Sequence, residues 1–292
     1  MFGLKLGMGA MALVCVAALP AAEFSGTRAL EYARAVTAMG PRPSGSAANK
    51  KAQAYIKAQL QGLGCQVTED AFTGTPPSGP IPMTNLIAKF PGKSGMSVVF
   101  TGHFDTKVFK EFKFVGANDA GSSSGVLLEM AKTLAGQVRK HDVYLLWFDG
   151  EEAVGEWSDR DGIHGSRHLA QKWSQEGKLG KILALINVDM IGDKDLGIAL
   201  ESNSNQGLRR LVWQVAKDLG YGSHFLEQPG AIEDDHMPFV RQGVTALDLI
   251  DFDYGPGNSY WHTEKDTVDK LSGQSLKVVG DVLVETLKRL EK

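Results

Sequence analysis

The sequence predicts an α/β fold, a mostly parallel sheet sandwiched between layers of helices. Three observations carry that reading. The runs "VYLLWF", "ILALINV" and "VTALDLI" are continuously apolar rather than alternating, as expected of strands covered on both faces. Such runs alternate along the chain with segments of helical periodicity. The 292 residues contain no repeat, long linker or low-complexity tract, so one large domain is the simplest arrangement.

The first segment stands apart. Lys5, an apolar run from Leu6 to Leu19, and the small residues Ala21 and Ala22 before Glu23 read as a secretory signal peptide over residues 1–22. An exported protein, periplasmic or secreted, is expected, with residues 23–292 forming the domain. The run is short for a membrane span, so contact with a membrane is expected only if the segment stays uncleaved. Cys15 follows Ala12-Leu13-Val14, a poor lipoprotein signal. Cys65 is the only other cysteine, so the mature chain has no internal disulfide; Cys65 itself reads as a buried small apolar residue opening a strand.

The elements then come in order. In "SGTRALEYARAVTAMG", Leu30, Ala33, Val36 and Ala38 give a weak apolar face that Gly40-Pro41 ends. A second helix is expected over about residues 46–63, with Ile56, Leu60 and Leu63 at helical spacing and Gly64 closing it. Strands are expected over residues 66–72, 84–90, 97–101, 143–148, 182–188 and 244–250. Further helices are expected over 122–134, 165–174, 206–219 and 268–290.

A formal net charge of −3, with 43% hydrophobic and 22% charged residues, gives no basic excess to attract nucleic acid. Phe109, Phe112 and Phe114 interleave with Lys107, Lys110 and Lys113, a tract too short for nucleic-acid binding that reads as a pocket rim.

The informative pattern lies at the end of each buried run. His103 and Asp105 come after one, Glu151 and Glu152 after another, Asp189 after a third, while Asp248 lies inside the last with Asp251 just after it. Ligands of open α/β sheets bind beyond the carboxyl ends of strands, so these groups should converge on one crevice. Asp119 in "GANDAGSSSG" and His262 in "SYWHTEKDT" add to the set. Histidine, aspartate and glutamate are all ligand types for catalytic zinc, though spacing alone does not say which of them bind. There is no HExxH pattern, which removes the helix-borne zinc protease reading. Gly121-Ser122-Ser123-Ser124-Gly125 matches a serine-hydrolase motif, but a loop precedes it where that chemistry needs a strand; it reads as a small-residue helix start that lets backbones pack closely.

Together "HFDTK", "GANDAGSSSG", "DGEE", "NVDMIGD" and "WHTEKDT" resemble the zinc-dependent aminopeptidase-like exopeptidases across nearly the whole mature chain. Within that group "FDGEEAVGEWSDRDGIHGSRHLA" and "IEDDHMPFVRQGVTALDLI" resemble the animal-type glutaminyl-peptide cyclotransferases. The resemblance implies a three-layer sandwich around a mixed, mainly parallel sheet with helices on both faces. It implies cyclisation of an N-terminal glutamine of a peptide or protein to pyroglutamate with loss of ammonia. It assigns one zinc to Asp119, Glu152 and His262 and proton transfer to Glu151. Asp189 and Asp234 take supporting places in an acidic network, and Trp157 and Trp261 match the aromatics that shape the substrate pocket.

Three departures from the vertebrate enzymes stand out. Asp248 replaces a histidine, making the network wholly acidic; Gly257 replaces a phenylalanine of the pocket wall, which leaves Phe252 or Tyr254 to fill it; and paired cysteines near the metal loop are missing. A two-zinc aminopeptidase is the alternative, because His103 and Asp189 match its second-metal ligands; Glu151 would then activate a zinc-bound water. A catalytically silent binding domain on the same scaffold is a third reading, disfavoured because every expected ligand position is filled. Of the other residues, His141 reads as a solvated turn residue, His164 and His224 as surface groups, and His168 as packed or hydrogen-bonded. His236 is expected either to orient its neighbours Asp234 and Asp235 or to take a structural role, and Asp149 to fix the turn before Gly150.

Overall fold

A computed structural model describes residues 23–292; the expected signal segment, with Cys15, lies outside the described residues. The chain opens with helices α1 (Gly26–Thr37) and α2 (Ala47–Leu60), then strands β1 (Gln66–Gly74), β2 (Ile81–Phe90) and β3 (Ser97–His103). Helix α3 (Ser123–Leu134), strand β4 (Asp142–Phe148), helix α4 (His164–Gln175) and strand β5 (Ile182–Asp189) come next. The remainder runs β6 (Ile198–Glu201), α5 (Gln206–Asp218), β7 (Phe225–Gly230), α6 (Met237–Val240), β8 (Ala246–Ile250) and α7 (Gly273–Leu290).

Six strands form one sheet in the order β1-β2-β4-β3-β5-β8. The pairs β1–β2 and β2–β4 are antiparallel, while β4–β3, β3–β5 and β5–β8 are parallel, so the sheet is mixed and mainly parallel as expected. Strand side chains alternate between faces, and both faces here are buried. In β4, Val143, Leu145 and Trp147 join the core under α1, α2, α3, α5 and α7, while Leu146 and Phe148 join the core under α4 and α6. That is why the run reads as continuously apolar. Truncating a central residue such as Phe100, which is fully buried, to alanine would cost about 3–5 kcal/mol.

Side-chain caps set the helix starts. Ser25, Ser46 and Asn205 accept from the amides of Arg28, Asn49 and Leu208. Ser272 accepts from Gln274 and Ser275, so α7 starts at Gly273 and not at the expected residue 268; residues 268–270 form a separate short turn. Ser122, Ser123 and Ser124 spend their hydroxyls on the carbonyls of Asn118, Ala120 and His103, and a Cβ on Gly125 would lie 2.3 Å from the Ala29 carbonyl oxygen of α1. The motif is a packing device, as expected.

Several expectations need correction. The parallel pair β6–β7 forms a second small sheet that the sequence does not predict, and α6 is likewise unpredicted. His141 is buried, with its Nδ1 2.7 Å from the Ser94 hydroxyl, because the turn before β4 folds under residues 92–94. His164 is buried as the first residue of α4, with Nε2 3.4 Å from Asp161. His224 is half-buried, its Nδ1 3.0 Å from the Leu196 carbonyl oxygen. Cys65 is half-buried and precedes β1, its thiol aimed at the Leu60 carbonyl. His168 stacks on Phe72 at 4.4 Å, in line with a packed histidine.

Candidate functional site

Because β4, β3, β5 and β8 run parallel, their carboxyl ends lie along one edge, and that edge collects the acids. β3 ends on His103 and β5 on Asp189; β4 leads into Asp149, Gly150, Glu151 and Glu152. Asp119 comes from the irregular turn before α3, which contains a cis peptide bond between Asp119 and Ala120, and His262 from the loop after β8.

Buried hydrogen bonds hold each piece. Asp149 accepts from the hydroxyl of Ser44, the amide side chain of Asn49 and the backbone of Thr84 at 2.7, 2.9 and 2.8 Å, which fixes the turn. Gly150 then takes φ +74°, where a side chain would be strained and would meet Met83 Sδ at 2.6 Å. Asp105 accepts the amides of Glu151 and Glu152 at 3.2 and 3.3 Å, clamping the two backbones so that their side chains diverge. Asp266 accepts the amides of Asn118 and Asp119 at 2.8 and 3.2 Å and the Tyr254 hydroxyl at 2.8 Å. Arg42, wholly buried, donates to the carbonyls of Gly40, Phe104, Val115 and Gly116, tying the metal-loop approach to β3. The sequence places Asp105 among the strand-end groups of the crevice without giving it this clamping role, and assigns nothing to Asp266 or Arg42; Asp266 stands inside the motif "WHTEKDT", its only signal.

Two donor triads result, sharing Asp119. In the outer one His262 Nε2 lies 3.2 Å from Asp119 and 3.1 Å from Glu152; in the inner one His103 Nε2 lies 3.2 Å from both Asp119 and Asp189. Within each triad the candidate ligand atoms all lie within 4.8 Å of one another. The charge balance asks for a cation. Burial works against a charged His262, yet Asp119 and Glu152 overcome it and raise the imidazole to about 10. Burial likewise opposes protonation of His103, which Asp189, Glu151, Asp105 and Asp119 nevertheless raise well above the usual range. Burial pushes Asp119 up, but hydrogen bonds from His103 and His262 outweigh it and hold the carboxyl low. A site that keeps protons on histidines through surrounding carboxylates will exchange those protons for a metal of higher charge. Two carboxylates and one imidazole form a fitting three-ligand donor set for a zinc with an open position.

Glu151 points elsewhere. Burial pushes its carboxyl well above the ordinary glutamate range; Glu152, Asp234 and Asp235 add to the rise and His103 opposes it. Asp189 is raised to about 7, chiefly by burial, and Asp248 is pushed well up by burial with the Asp234 and Asp189 charges behind it. The Oδ2 atoms of Asp234 and Asp248 have no hydrogen-bond partner among the described residues, while Asn187 donates to Asp248 Oδ1 at 3.0 Å. Of the two readings for His236 the structure favours the structural one: its nitrogens face Glu201 at 3.4 Å and Asp248 at 3.9 Å rather than Asp234 and Asp235. Glu201, buried at the end of β6, goes unnoticed in the sequence because that strand does.

Asp119, Glu151, Glu152, Trp157, Asp189, Asp234, Trp261 and His262 all line one cavity of about 820 Å³. His103 and Asp248 lie beneath it, buried, and do not line it. Trp261 stacks on His262 with centroids 4.2 Å apart, and Phe109 and Phe114 meet the same ring edge-on at 5.6 Å; of the basic-aromatic tract only Lys107 lines the cavity, the phenylalanines packing against His262 instead. Phe252, 4.9 Å from Trp261, lines the cavity, whereas Gly257 does not; Tyr254 is buried and committed to Asp266.

A crevice of acids and histidines at the carboxyl edge of such a sheet defines a metal-dependent exopeptidase-like scaffold. The chain belongs to peptidase family M28, whose model matches residues 85–287. It is a homologue of the glutaminyl-peptide cyclotransferases. It is 31% identical to the Drosophila melanogaster protein of that name, over 77% of this chain and 70% of the relative. A glutaminyl cyclase crystal structure from an Acidobacteriales bacterium superposes with a TM-score of 0.89 at 38% identity, covering 98% of this chain and 99% of that one. A Zn-dependent exopeptidase from Parabacteroides distasonis superposes with a TM-score of 0.83 at 26% identity, over 91% and 99% of the two chains.

Proposed function

We propose that the chain is a zinc-dependent glutaminyl-peptide cyclotransferase that converts the N-terminal glutamine of peptides or proteins to pyroglutamate and releases ammonia. The observation that carries this is the pairing of Glu151, buried and with its carboxyl pushed above the ordinary glutamate range, with the adjacent Glu152 of the Asp119–Glu152–His262 triad, in a cavity lined by Trp157 and Trp261. The likeness to glutaminyl cyclases in sequence and structure supports it.

A zinc ion held by Asp119, Glu152 and His262 supplies a Lewis acid for the substrate's side-chain amide. The chain's own residues do the rest. Trp157 and Trp261 confine the glutaminyl side chain so that its α-amine faces its own amide carbon, making the attack intramolecular. As the new carbon–nitrogen bond forms, Glu151 accepts one proton from the amine; as the old bond breaks, Glu151 returns it to the leaving nitrogen, which departs as ammonia. A carboxyl that both takes and gives a proton must sit nearer neutrality than a free glutamate, which burial accomplishes here. Asp189 and Asp248, whose carboxyls burial pushes up, complete the acidic network with Asp234, Asp248 standing where the vertebrate enzymes carry a histidine.

We assign one zinc to the outer triad. The inner triad is the feature that a two-zinc aminopeptidase would use, so metal count and substrate are measured together. Ammonia released from a glutaminyl arylamide, abolished by a chelator, with one zinc per chain, supports the cyclase. Two zincs and free leucine from a leucyl arylamide would establish the aminopeptidase. Export, to periplasm or medium, is part of the proposal and rests on residues 1–22; no helix among the described residues is long and apolar enough to cross a membrane.

A further inference from the structure

Trp157 lines the cavity from a segment that has no core of its own. It is 42% exposed, and every residue from Gly155 to Arg160 is exposed with it. A ring carried on a loose loop has to be ordered anew by each substrate, at an entropic cost that weakens binding. Here a polar staple does the ordering in advance.

The staple is Asp161, only 2% exposed at the foot of this exposed loop. Its Oδ1 accepts the amide of Val154 and its Oδ2 the amide of Gly155, both at 2.9 Å, so one carboxylate joins the two limbs of the loop. His164 Nε2 stands 3.4 Å from the same Oδ1. The backbones of Ser158 and Asp161 bond each other in both directions at 3.1 Å, closing the tip that carries Trp157. Gly162, next in sequence, lies at φ +100° against the indole, and a Cβ there would stand 2.8 Å from Trp157 Cζ3. The ring has a seat that only glycine leaves free.

The foot of the loop rests on the turn that carries the two glutamates. The amides of Ile163 and His164 donate to the carbonyls of Glu151 and Gly150 at 2.6 and 2.7 Å. Ile163 takes φ +44°, a conformation that a β-branched residue adopts only when its surroundings impose it. Lys107 donates to the carbonyls of Ala153 and Gly155 at 3.1 and 3.2 Å, a further tie on the first limb.

We propose that Asp161, with Gly162 as the seat, is a positioning residue: it touches no reacting atom and acts through Trp157, holding that ring preformed beside Glu151. The inference rests on the cyclase reading, in which Trp157 confines the glutaminyl side chain. Without the carboxylate the amides of Val154 and Gly155 turn to water and the tip comes free. The backbones of Asp119 and Glu152 stay held by Asp266 and Asp105, so the metal position is untouched.

The test is a double-variant cycle on a glutaminyl peptide amide, reading kcat and KM for ammonia release with zinc content on the same preparations. Asp161→Ala should raise KM about tenfold and change kcat less, with one zinc per chain. Asp161→Asn, which keeps one acceptor oxygen, should fall between, and Gly162→Ala should raise KM by displacing the ring while every hydrogen bond stays in place. In a Trp157→Ala background, Asp161→Ala should cost less than about twofold more. A full loss repeated in that background, or loss of zinc with Asp161→Ala, overturns the inference while ammonia release preserves the cyclase. Should Asp161→Ala not fold, the same cycle with Asp161→Asn decides. No ammonia from the unaltered chain would overturn the cyclase reading and the inference with it.

Discussion

The two donor triads share Asp119 and use the same residue types, yet they sit in different surroundings. The outer one ends on His262, a loop residue in the left-handed region at φ +53°, whose side chain is 20% exposed and faces Trp261, Phe109 and Phe114. The inner one is built on His103 and Asp189, the last residues of β3 and β5, with His103 only 1% exposed and flanked by Asp105 and Glu151 as well. Both triads present carboxylates to the cavity, Asp119 and Glu152 in one and Asp119 and Asp189 in the other; they differ at the histidine, His262 lining the cavity and His103 lying buried outside its lining. On the proposed reading, the accessibility of the histidine separates a metal position from a proton-holding one more sharply than ligand identity does.

The largest effect should come from breaking the outer triad. His262→Ala should strip the zinc and lower kcat/KM by about a thousandfold or more, read by metal analysis and ammonia release. Breaking the inner triad should cost less. His103→Asn should keep one zinc per chain and lose about 10- to 100-fold, the range for groups that orient a metal site without holding the ion. A loss of all zinc in that variant would erase the distinction.

A smaller, graded effect is pH dependence. In the metal-free protein His262 stays protonated up to about 10, so zinc must displace a proton on binding. Affinity should therefore rise with pH, by about a decade per unit between pH 6 and 8, and calorimetry in buffers of different ionisation enthalpy should show about one proton released per zinc. Occupation of the inner triad would require the His103 proton as well, so release of two protons for two zincs would sharpen the case against a single ion.

How far these differences can be read from sequence varies with the physics. The sheet is legible because β4, β5 and β8 are apolar on both faces, and the convergence of His103, Glu151, Glu152 and Asp189 comes from their places at parallel strand ends. The β6–β7 sheet is not: β6 has four residues, and β7 is mostly exposed and ends in Pro-Gly, which reads as a turn. With it go Glu201, the facing partner of His236, and the residues of β6 and β7 that line the cavity. The histidines at 141 and 164 look like surface residues because burial of a polar group depends on partners distant in sequence, here Ser94 for the first. Ligand assignments come from motif resemblance; spacing alone leaves the two triads undivided.

The central claim is the division of labour between adjacent carboxylates, Glu152 on the metal and Glu151 on the proton. Zinc content and kcat of Glu151→Gln, measured on the same preparation, test it most directly. One zinc per chain with kcat lowered by about 10²–10⁴ is the predicted result. Full activity with zinc retained would contradict it.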